Sequence, residues 1–200
     1  MKVSDLRIGV KLGAGFFAVV LLTTVLGLIG LVQMARINAH SEQIATNLLP
    51  SVEKAANLRV LYNRMRRSEA GMVTSRSQPE VKAFSEQVGL RAKDIAQLEA
   101  TYEPLIDTDK EREIYAAYKQ RKAEYAQIQA KLTEIANGVD FSTAESLEIT
   151  GEALTMAYAG ESEAAFVAVA ETLGQMQKLN SDNALQASQE ARQVFSTARA

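Results

Sequence analysis

Residues 108–137 read TDKEREIYAAYKQRKAEYAQIQAKLTEIAN, and this stretch decides the fold class. Its apolar residues recur at alternating steps of three and four, the spacing of one face of an α-helix. Asp107 or Thr108 is expected to cap the first turn. The pattern predicts an amphipathic helix that packs against other helices, with one arginine in the middle of its apolar face. The positions of that face are Ile114, Tyr118, Arg121, Tyr125, Ile128, Leu132 and Ile135.

Three breaks divide the chain on either side of this helix. Proline, glycine and cap-type residues cluster at Ser77-Gln78-Pro79, at residues 103–108 and at residues 137–142. Pro50 predicts a kink, and Gly160 is a weak point in the last helix. Connections this short make successive helices antiparallel, so the sequence predicts an all-α, up-down-up-down four-helix bundle. The predicted helices cover about 33–77, 79–103, 108–137 and 143–199.

The composition excludes several functional classes. The 200 residues include no cysteine and a single histidine, His40, which excludes disulfides, thiolate metal sites and multi-histidine centres. With 22 basic and 24 acidic residues the net charge is −2, which argues against a nucleic-acid partner. The pattern contains neither a glycine-rich phosphate loop nor a carboxylate pair isolated among apolar residues. We therefore expect no catalysis, no metal and no cofactor.

The N-terminal part of the chain reads as a membrane anchor. Residues 12–34 are predicted to form a transmembrane helix, because Leu12 to Val32 contains no charged side chain. Basic residues precede this segment, so residues 1–11 are expected in the cytoplasm. A cleaved signal peptide is the alternative, but the apolar segment is too long and lacks a clear cleavage site. Residues 35–200 are then expected to form a periplasmic domain at the inner membrane of a bacterium.

The first bundle helix carries two apolar stripes. Two stripes require two partners, so we expect one to face the bundle core and the other to form a homodimer with a second copy of the helix. The last helix reaches residue 199 without a cap, which we interpret as a chain that stops before a second membrane span and a cytoplasmic signalling part. The core stripe is Ile44, Leu48, Ala55, Leu58, Tyr62, Met65, Glu69 and Met72; the dimer stripe is Ala45, Leu49, Val52, Ala56, Arg59, Asn63, Arg66, Ala70 and Val73.

Several local sequences resemble those of a known family. Leu6-Arg7-Ile8-Gly9-Val10-Lys11-Leu12 leads into the membrane helix, and Asn137-Gly138 and Tyr158-Ala159-Gly160-Glu161 follow later. The stretch from Asn180 to Ala191 is rich in Asn, Ala, Gln and Ser. Together these resemble the four-helix-bundle periplasmic sensor domain of bacterial methyl-accepting chemotaxis receptors, over the whole chain. The resemblance implies a homodimeric sensor that transmits ligand occupancy across the membrane as a small helix displacement.

The resemblance does not transfer a ligand. In the family's amino-acid receptors, arginines of the first helix hold the ligand carboxylate, spaced by five and then four residues. Arg59 and Arg64 match the first two positions, but Ser68 stands at the third. An amino-acid receptor therefore stays an alternative. So do the input domain of a sensor histidine kinase or cyclic-di-nucleotide enzyme, and a structural membrane protein without a ligand.

A ligand site is predicted from the heights of three arginines. Residues at equal height in an antiparallel hairpin have a constant sum of residue numbers, which places Arg66, Arg91 and Arg121 in one layer. Burying unpaired guanidinium groups costs several kcal/mol, so the layer needs an anion. Converging planar forks favour a di- or tricarboxylate such as malate, succinate or citrate. The predicted ligand-binding residues are Arg59, Asn63, Arg66, Arg91, Arg121, Tyr118, Tyr125 and Thr172.

Structural roles are the alternative for the same residues. Glu69 lies within a turn of the layer and could pair with Arg91 or Arg121. Tyr118 and Tyr125 fit core positions better than a ligand-stacking surface. Arg64 and Arg67 lie off both stripes and are expected in solvent or at the rim of a dimer.

Overall fold

A computed structural model describes residues 8–199, and every regular element in this range is helical. The helices follow the predicted order. A π-helical turn interrupts the first predicted bundle helix, and a second one interrupts the last. The elements are α1 (Ile8–Gln43), a π-helical turn (Ile44–Leu48), α2 (Leu49–Thr74), α3 (Gln78–Tyr102), a 3-10 turn (Glu103–Leu105), α4 (Asp109–Asn137), α5 (Ala144–Ala157), a second π-helical turn (Tyr158–Ser162) and α6 (Glu163–Arg199). The prediction of an all-α four-helix bundle is confirmed.

Local sequence accounts for the helix ends. Thr108 accepts a hydrogen bond from the backbone N–H of Glu111 at 3.2 Å, so the predicted cap of α4 is confirmed. Thr143 caps α5 in the same way through the backbone N–H of Ser146. Pro79 stands in the first turn of α3, where its missing N–H leaves no helical hydrogen bond unmade.

Both π-helical turns fall where the sequence indicates a weak point. The π-helical turn Ile44–Leu48 ends just before Pro50, whose ring cannot donate the N–H that a regular turn needs. The second π-helical turn, Tyr158–Ser162, includes Gly160. Wide turns of this kind cluster at functional sites, because they redirect the side chains that flank them.

The described residues divide into two compact units. Thr46–Ala184 forms one unit, and the residues up to Ala45 form the other together with those from Leu185 on. The first of these contains the bundle core. Its buried apolar side chains include Leu58, Tyr62, Val88, Ile95, Tyr118, Tyr125, Leu132, Val169, Leu173 and Met176.

The second unit contains one helix that is long and apolar enough to cross a membrane. Its most apolar window of eighteen residues has a mean hydropathy of 2.5, and none of that window is buried. Large apolar side chains such as Phe16, Leu22 and Leu28 are exposed along α1. In the same unit, Nδ1 of His40 lies 3.8 Å from the Glu190 carboxylate. Exposed apolar surface of this length is compatible with anchoring in a lipid bilayer.

The buried face of α4 differs from the predicted heptad face in every second position. Tyr118, Tyr125 and Leu132 are buried as predicted, but Tyr115 and not Ile114 accompanies them in the core. The buried and half-buried face keeps a seven-residue repeat, but Tyr115, Lys122, Gln129 and Ala136 take the places predicted for Ile114, Arg121, Ile128 and Ile135. The intermediate positions of the predicted stripe therefore turn toward the edge of the bundle, and Arg121 is one of them.

Candidate functional site

Arg66 lies in the bundle core, whereas the dimer stripe predicted for it would have faced a second subunit. Arg66 is only 7% exposed to solvent. One guanidinium nitrogen donates to the Glu69 carboxylate at 2.8 Å and to Oγ of Ser162 at 2.6 Å. The other donates to the backbone carbonyl of Tyr158 at 2.7 Å and to the Glu163 carboxylate at 2.8 Å. Arg66 therefore joins α2 to the second π-helical turn and to the start of α6.

The charge of Arg66 is compensated within the protein. Burial alone would lower the pKa of Arg66, but the hydrogen bonds to Glu69 and Glu163 outweigh it and raise that pKa above its usual value. The guanidinium carbon also lies 3.6 Å from the centre of the Tyr158 ring, a favourable cation–π distance. A group with this many partners has no need of an external anion.

Glu69 is the buried carboxylate of this cluster, with no exposed surface. It accepts hydrogen bonds from the Tyr125 hydroxyl at 2.7 Å and from the Gln129 amide at 2.6 Å, in addition to the bond from Arg66. Burial and the nearby Glu69 charge raise the pKa of Tyr125, so its hydroxyl stays a donor throughout the physiological range. The alternative pairing of Glu69 with Arg91 or Arg121 is wrong, because its carboxylate pairs with Arg66.

The predicted layer of three arginines does not form. Arg91 is half-buried at the edge of α3, where it pairs with Asp94 at 2.8 Å. Arg121 has 49% of its side chain exposed and pairs with Glu124 at 2.9 Å on the surface of α4. Hairpin geometry gives the height of each arginine along the bundle. It does not determine whether the side chain lies on the helix face that turns toward the core. The prediction that the three arginines meet is wrong, because it required Arg121 to lie on the buried face of α4.

Replacing Arg121 with alanine is therefore expected to change little. An exposed ion pair within one helix contributes well under 1 kcal/mol, and surface substitutions of this kind change the free energy of unfolding by about 0.5 kcal/mol or less. Urea unfolding of wild type and Arg121→Ala in detergent micelles measures the difference. A loss above about 1.5 kcal/mol would mean that Arg121 is buried with an essential partner.

The remaining predicted residues make contacts inside the bundle or along their own helices. Arg59 donates to the Gln177 side chain on α6 at 3.1 Å, and Asn63 donates to the Arg59 carbonyl one turn away. Thr172 is buried, but its hydroxyl bonds to the carbonyls of its own helix. Tyr118 is a fully buried core residue, in agreement with the alternative that it packs in the core and does not contact a ligand.

An open groove on the α2–α3 face brings a different set of arginines together. Arg64 and Arg67 come from α2 and Arg91 from α3, and the groove has a volume of about 380 Å³. Within residues 8–199, neither Arg64 nor Arg67 forms an ion pair. We call this feature the arginine groove; its lining residues are Arg64, Arg67, Ser68, Phe84, Gln87 and Arg91.

Neutral side chains complete the arginine groove. Ser68 is almost fully buried and donates from its hydroxyl to the Gln87 side chain at 3.3 Å. Phe84 packs closely against Gly71 of α2, where a Cβ would lie only 2.5 Å from the ring. The close approach that glycine permits brings α2 and α3 together at this level. The groove is thus lined by three guanidinium groups, one aromatic ring and two polar side chains.

The sequence indicates this groove through two features that must be combined, the hairpin sum and the shared helix face of three residues. Arg64 and Arg67 are expected in solvent or at the rim of a dimer, and both are exposed. The hairpin sum that placed Arg91 opposite Arg66 also places it opposite the neighbours of Arg66. On a helix, positions 64, 67 and 68 share one face. Combining that face with the hairpin sum would have identified the groove.

The interior also contains polar residues that the sequence analysis did not identify. Glu99 accepts from the Tyr118 hydroxyl and from Lys122, both at 2.5 Å. Glu111 is buried beside Tyr102 and Asn180. Among the described residues, no group of three or more His, Cys, Asp or Glu side chains is placed to hold a metal ion.

Comparison with known proteins agrees with this architecture. A family model described as a four helix bundle sensory module for signal transduction matches residues 5–195. YvaQ of Bacillus subtilis (strain 168), whose name describes a sensory transducer protein, is 21% identical over 190 residues. The match covers 95% of this chain and 32% of YvaQ, so the chain spans about a third of that relative. The fold, the buried helix contacts and the extent of the family match agree: the chain belongs to the four-helix-bundle sensory modules of chemoreceptor-type signal transduction.

Proposed function

We propose that this sensory module binds a di- or tricarboxylic acid, such as malate, succinate or citrate, in the arginine groove. The observation that carries the proposal is the convergence of Arg64, Arg67 and Arg91 from two helices on one open groove. Planar guanidinium groups bind carboxylates through two parallel hydrogen bonds, which gives both affinity and orientation. This site replaces the layer predicted from the sequence and keeps the ligand class.

The charge of the groove favours a dianion. The lining residues of the arginine groove include three arginines and no carboxylate, and Arg91 pairs with Asp94, which leaves the charges of Arg64 and Arg67 without an ion-pair partner among the described residues. A monocarboxylate would neutralise half of that charge. An amino acid would also bring an ammonium group, and the residues that line the groove include no carboxylate to pair with it. Ser68 and Gln87 add neutral hydrogen-bonding groups that suit a hydroxyl or keto substituent between two carboxylates.

Ligand binding in this groove would join α2 and α3. Because Arg64 and Arg67 lie on one helix and Arg91 on the other, a dicarboxylate that contacts all three fixes their relative position. A ligand can shift an equilibrium only by its differential affinity for two arrangements. A ligand that bridges two helices binds more tightly to one relative position of those helices than to another. A sensor requires such a difference in affinity.

We further propose that the chain is anchored in the bacterial inner membrane, with residues 12–34 spanning it and residues 35–200 in the periplasm. Exposed apolar side chains on α1 support the anchor. A homodimer through the first bundle helix is supported by the exposed Leu49 and Val60 on α2. We take the module to control chemotaxis without catalysis of its own; a histidine kinase or cyclic-di-nucleotide output is the alternative.

Thermal unfolding with a panel of acids tests the proposed ligand class. The chain in detergent micelles is heated with malate, succinate, citrate, acetate or aspartate at matched ionic strength. A ligand at about a hundred times its Kd stabilises the folded state by about 2.7 kcal/mol, which raises Tm by several degrees. We expect at least one di- or tricarboxylate to do so and acetate not to. If no di- or tricarboxylate stabilises the chain, the proposal is wrong.

A further inference from the structure

The bundle core contains three buried carboxylates, and each accepts a hydrogen bond from a core tyrosine. Tyr125 donates to Glu69 and Tyr118 to Glu99, as described above. Tyr102 donates to Glu111 at 2.5 Å. Arg66 neutralises Glu69, and Lys122 neutralises Glu99. Two of the three buried charges are therefore compensated by a cation.

Glu111 differs from the other two because no cation meets it. It is 1% exposed, and over residues 8–199 no arginine, lysine or histidine pairs with its carboxylate. Its sequence neighbours Lys110 and Arg112 pair instead with Glu113 and Asp109 on the surface. A buried carboxylate without a cation is unfavourable, even when two hydrogen bonds reach one of its oxygens.

The contact between Glu111 and Asn180 is also mismatched. Oε1 of Glu111 accepts from Nδ2 of Asn180 at 2.7 Å. The other two oxygens of the pair, Oε2 of Glu111 and Oδ1 of Asn180, are buried without a hydrogen-bond partner in the described part of the chain. When the Glu111 carboxylate is ionised both atoms are acceptors, so neither can satisfy the other. Asn180 is the buried polar residue through which α6 meets α4 at this level.

The start of α6 is held quite differently. Arg66 binds the Tyr158 carbonyl in the π-helical turn, the Ser162 hydroxyl and the Glu163 carboxylate, all at 2.6–2.8 Å. The Tyr158 carbonyl accepts from the backbone N–H of Glu163 within the π-helical turn and from Arg66 as a second donor. Charge-assisted hydrogen bonds of this length are the strong ones. One end of the bundle portion of α6 is thus clamped, whereas the Asn180 contact is unfavourable.

We propose that α6 is a helix with a fixed start and a built-in release point at the Glu111–Asn180 contact. The portion near Asn180 opens from α4 before the bundle unfolds, while the portion near Arg66 stays in place. Local opening is drawn from the least stable contacts of a structure. A sensory module needs an element with two arrangements, and this contact provides one without any ligand. The inference therefore stands apart from the proposed ligand.

Hydrogen exchange of the backbone amides of α6 tests the proposal. The chain in detergent micelles is compared with Glu111→Gln, whose side-chain amide supplies a donor and removes the charge. In wild type we expect residues 176–184 to exchange at least about tenfold faster than residues 165–172. The substitution should slow exchange in residues 176–184 by at least about tenfold and leave residues 165–172 unchanged.

Glu99→Gln is the matched control, because it removes another buried carboxylate, one that has a cation. It orphans Lys122 and should not slow exchange in residues 176–184. The proposal is overturned if exchange is uniform along α6 in wild type. It is also overturned if Glu111→Gln leaves exchange unchanged, speeds it, or prevents folding, since each result would mean that the charge of Glu111 is well accommodated.

Discussion

Replacing Arg66 with methionine is expected to destabilise the bundle by about 3–5 kcal/mol. Methionine keeps much of the apolar length of the side chain but leaves Glu69 as a fully buried carboxylate without a cation. Removing one partner of a buried ion pair has this cost, because the remaining charge loses its compensation and stays away from water. Urea unfolding of the chain in detergent micelles, followed by circular dichroism, measures the change.

The double variant Arg66→Met/Glu69→Gln separates the orphaned charge from lost side-chain contacts. Glutamine keeps an oxygen that accepts from Tyr125 but carries no charge, so the double variant should be more stable than Arg66→Met alone. Residues in one hydrogen-bonded network show such non-additivity. Arg121→Met, an exposed arginine on α4, serves as the control and should change stability by about 0.5 kcal/mol or less. Equal stability of the single and double variants would contradict the buried pair.

The second large effect is expected in ligand binding. Replacing both Arg64 and Arg67 with glutamine should weaken binding of the stabilising dicarboxylate by about a hundredfold or more. Each hydrogen bond to a charged group contributes about 1.5–3 kcal/mol, and 1.4 kcal/mol is a factor of ten in Kd. Stability without ligand should stay level or rise slightly, because two exposed like charges are removed. Isothermal titration calorimetry with wild type and variant gives both Kd values.

Two controls locate the binding site. Arg59→Gln removes an exposed arginine of the same helix that contacts Gln177 and not the arginine groove. Arg121→Gln removes the arginine that the layer hypothesis required. Both should bind the ligand within about twofold of wild type, since neither lines the groove. Unchanged affinity in the Arg64→Gln/Arg67→Gln variant would exclude the groove, and a large loss in Arg121→Gln would restore the layer.

Much of the fold follows from local chemistry. Helix ends are determined by residues such as Pro79, Thr108 and Gly138, which act through their own backbone or their nearest neighbours. The antiparallel order follows from the short connections between helices. These features need no knowledge of which side chains meet across the core, so sequence alone predicts them within a few residues.

The candidate site could be predicted only in part, because it depends on which face each helix turns inward. A one-residue error in that face exchanges Arg121, which is exposed, for Lys122, which pairs with the buried Glu99. The apolar spacing of the first bundle helix places Arg66 on the predicted dimer stripe, whereas in the structure Arg66 contacts Tyr158, Ser162 and Glu163. Those partners lie more than ninety residues away in sequence. The sequence indicates a weak point at Gly160, but it does not indicate that the turn there contacts Arg66. Such long-range contacts are set by tertiary packing and not by periodicity.

An NMR titration of the arginine side-chain N–H signals tests the central claim, a carboxylate-binding sensor groove between α2 and α3, most directly. Succinate, malate or citrate is added to the chain in detergent micelles at constant ionic strength, with acetate as the reference anion. The account expects the signals of Arg64, Arg67 and Arg91 to shift together and to saturate, while those of Arg59, Arg66 and Arg121 stay in place. Saturable shifts at Arg66 or Arg121 instead, or shifts no larger than those produced by acetate, would contradict it.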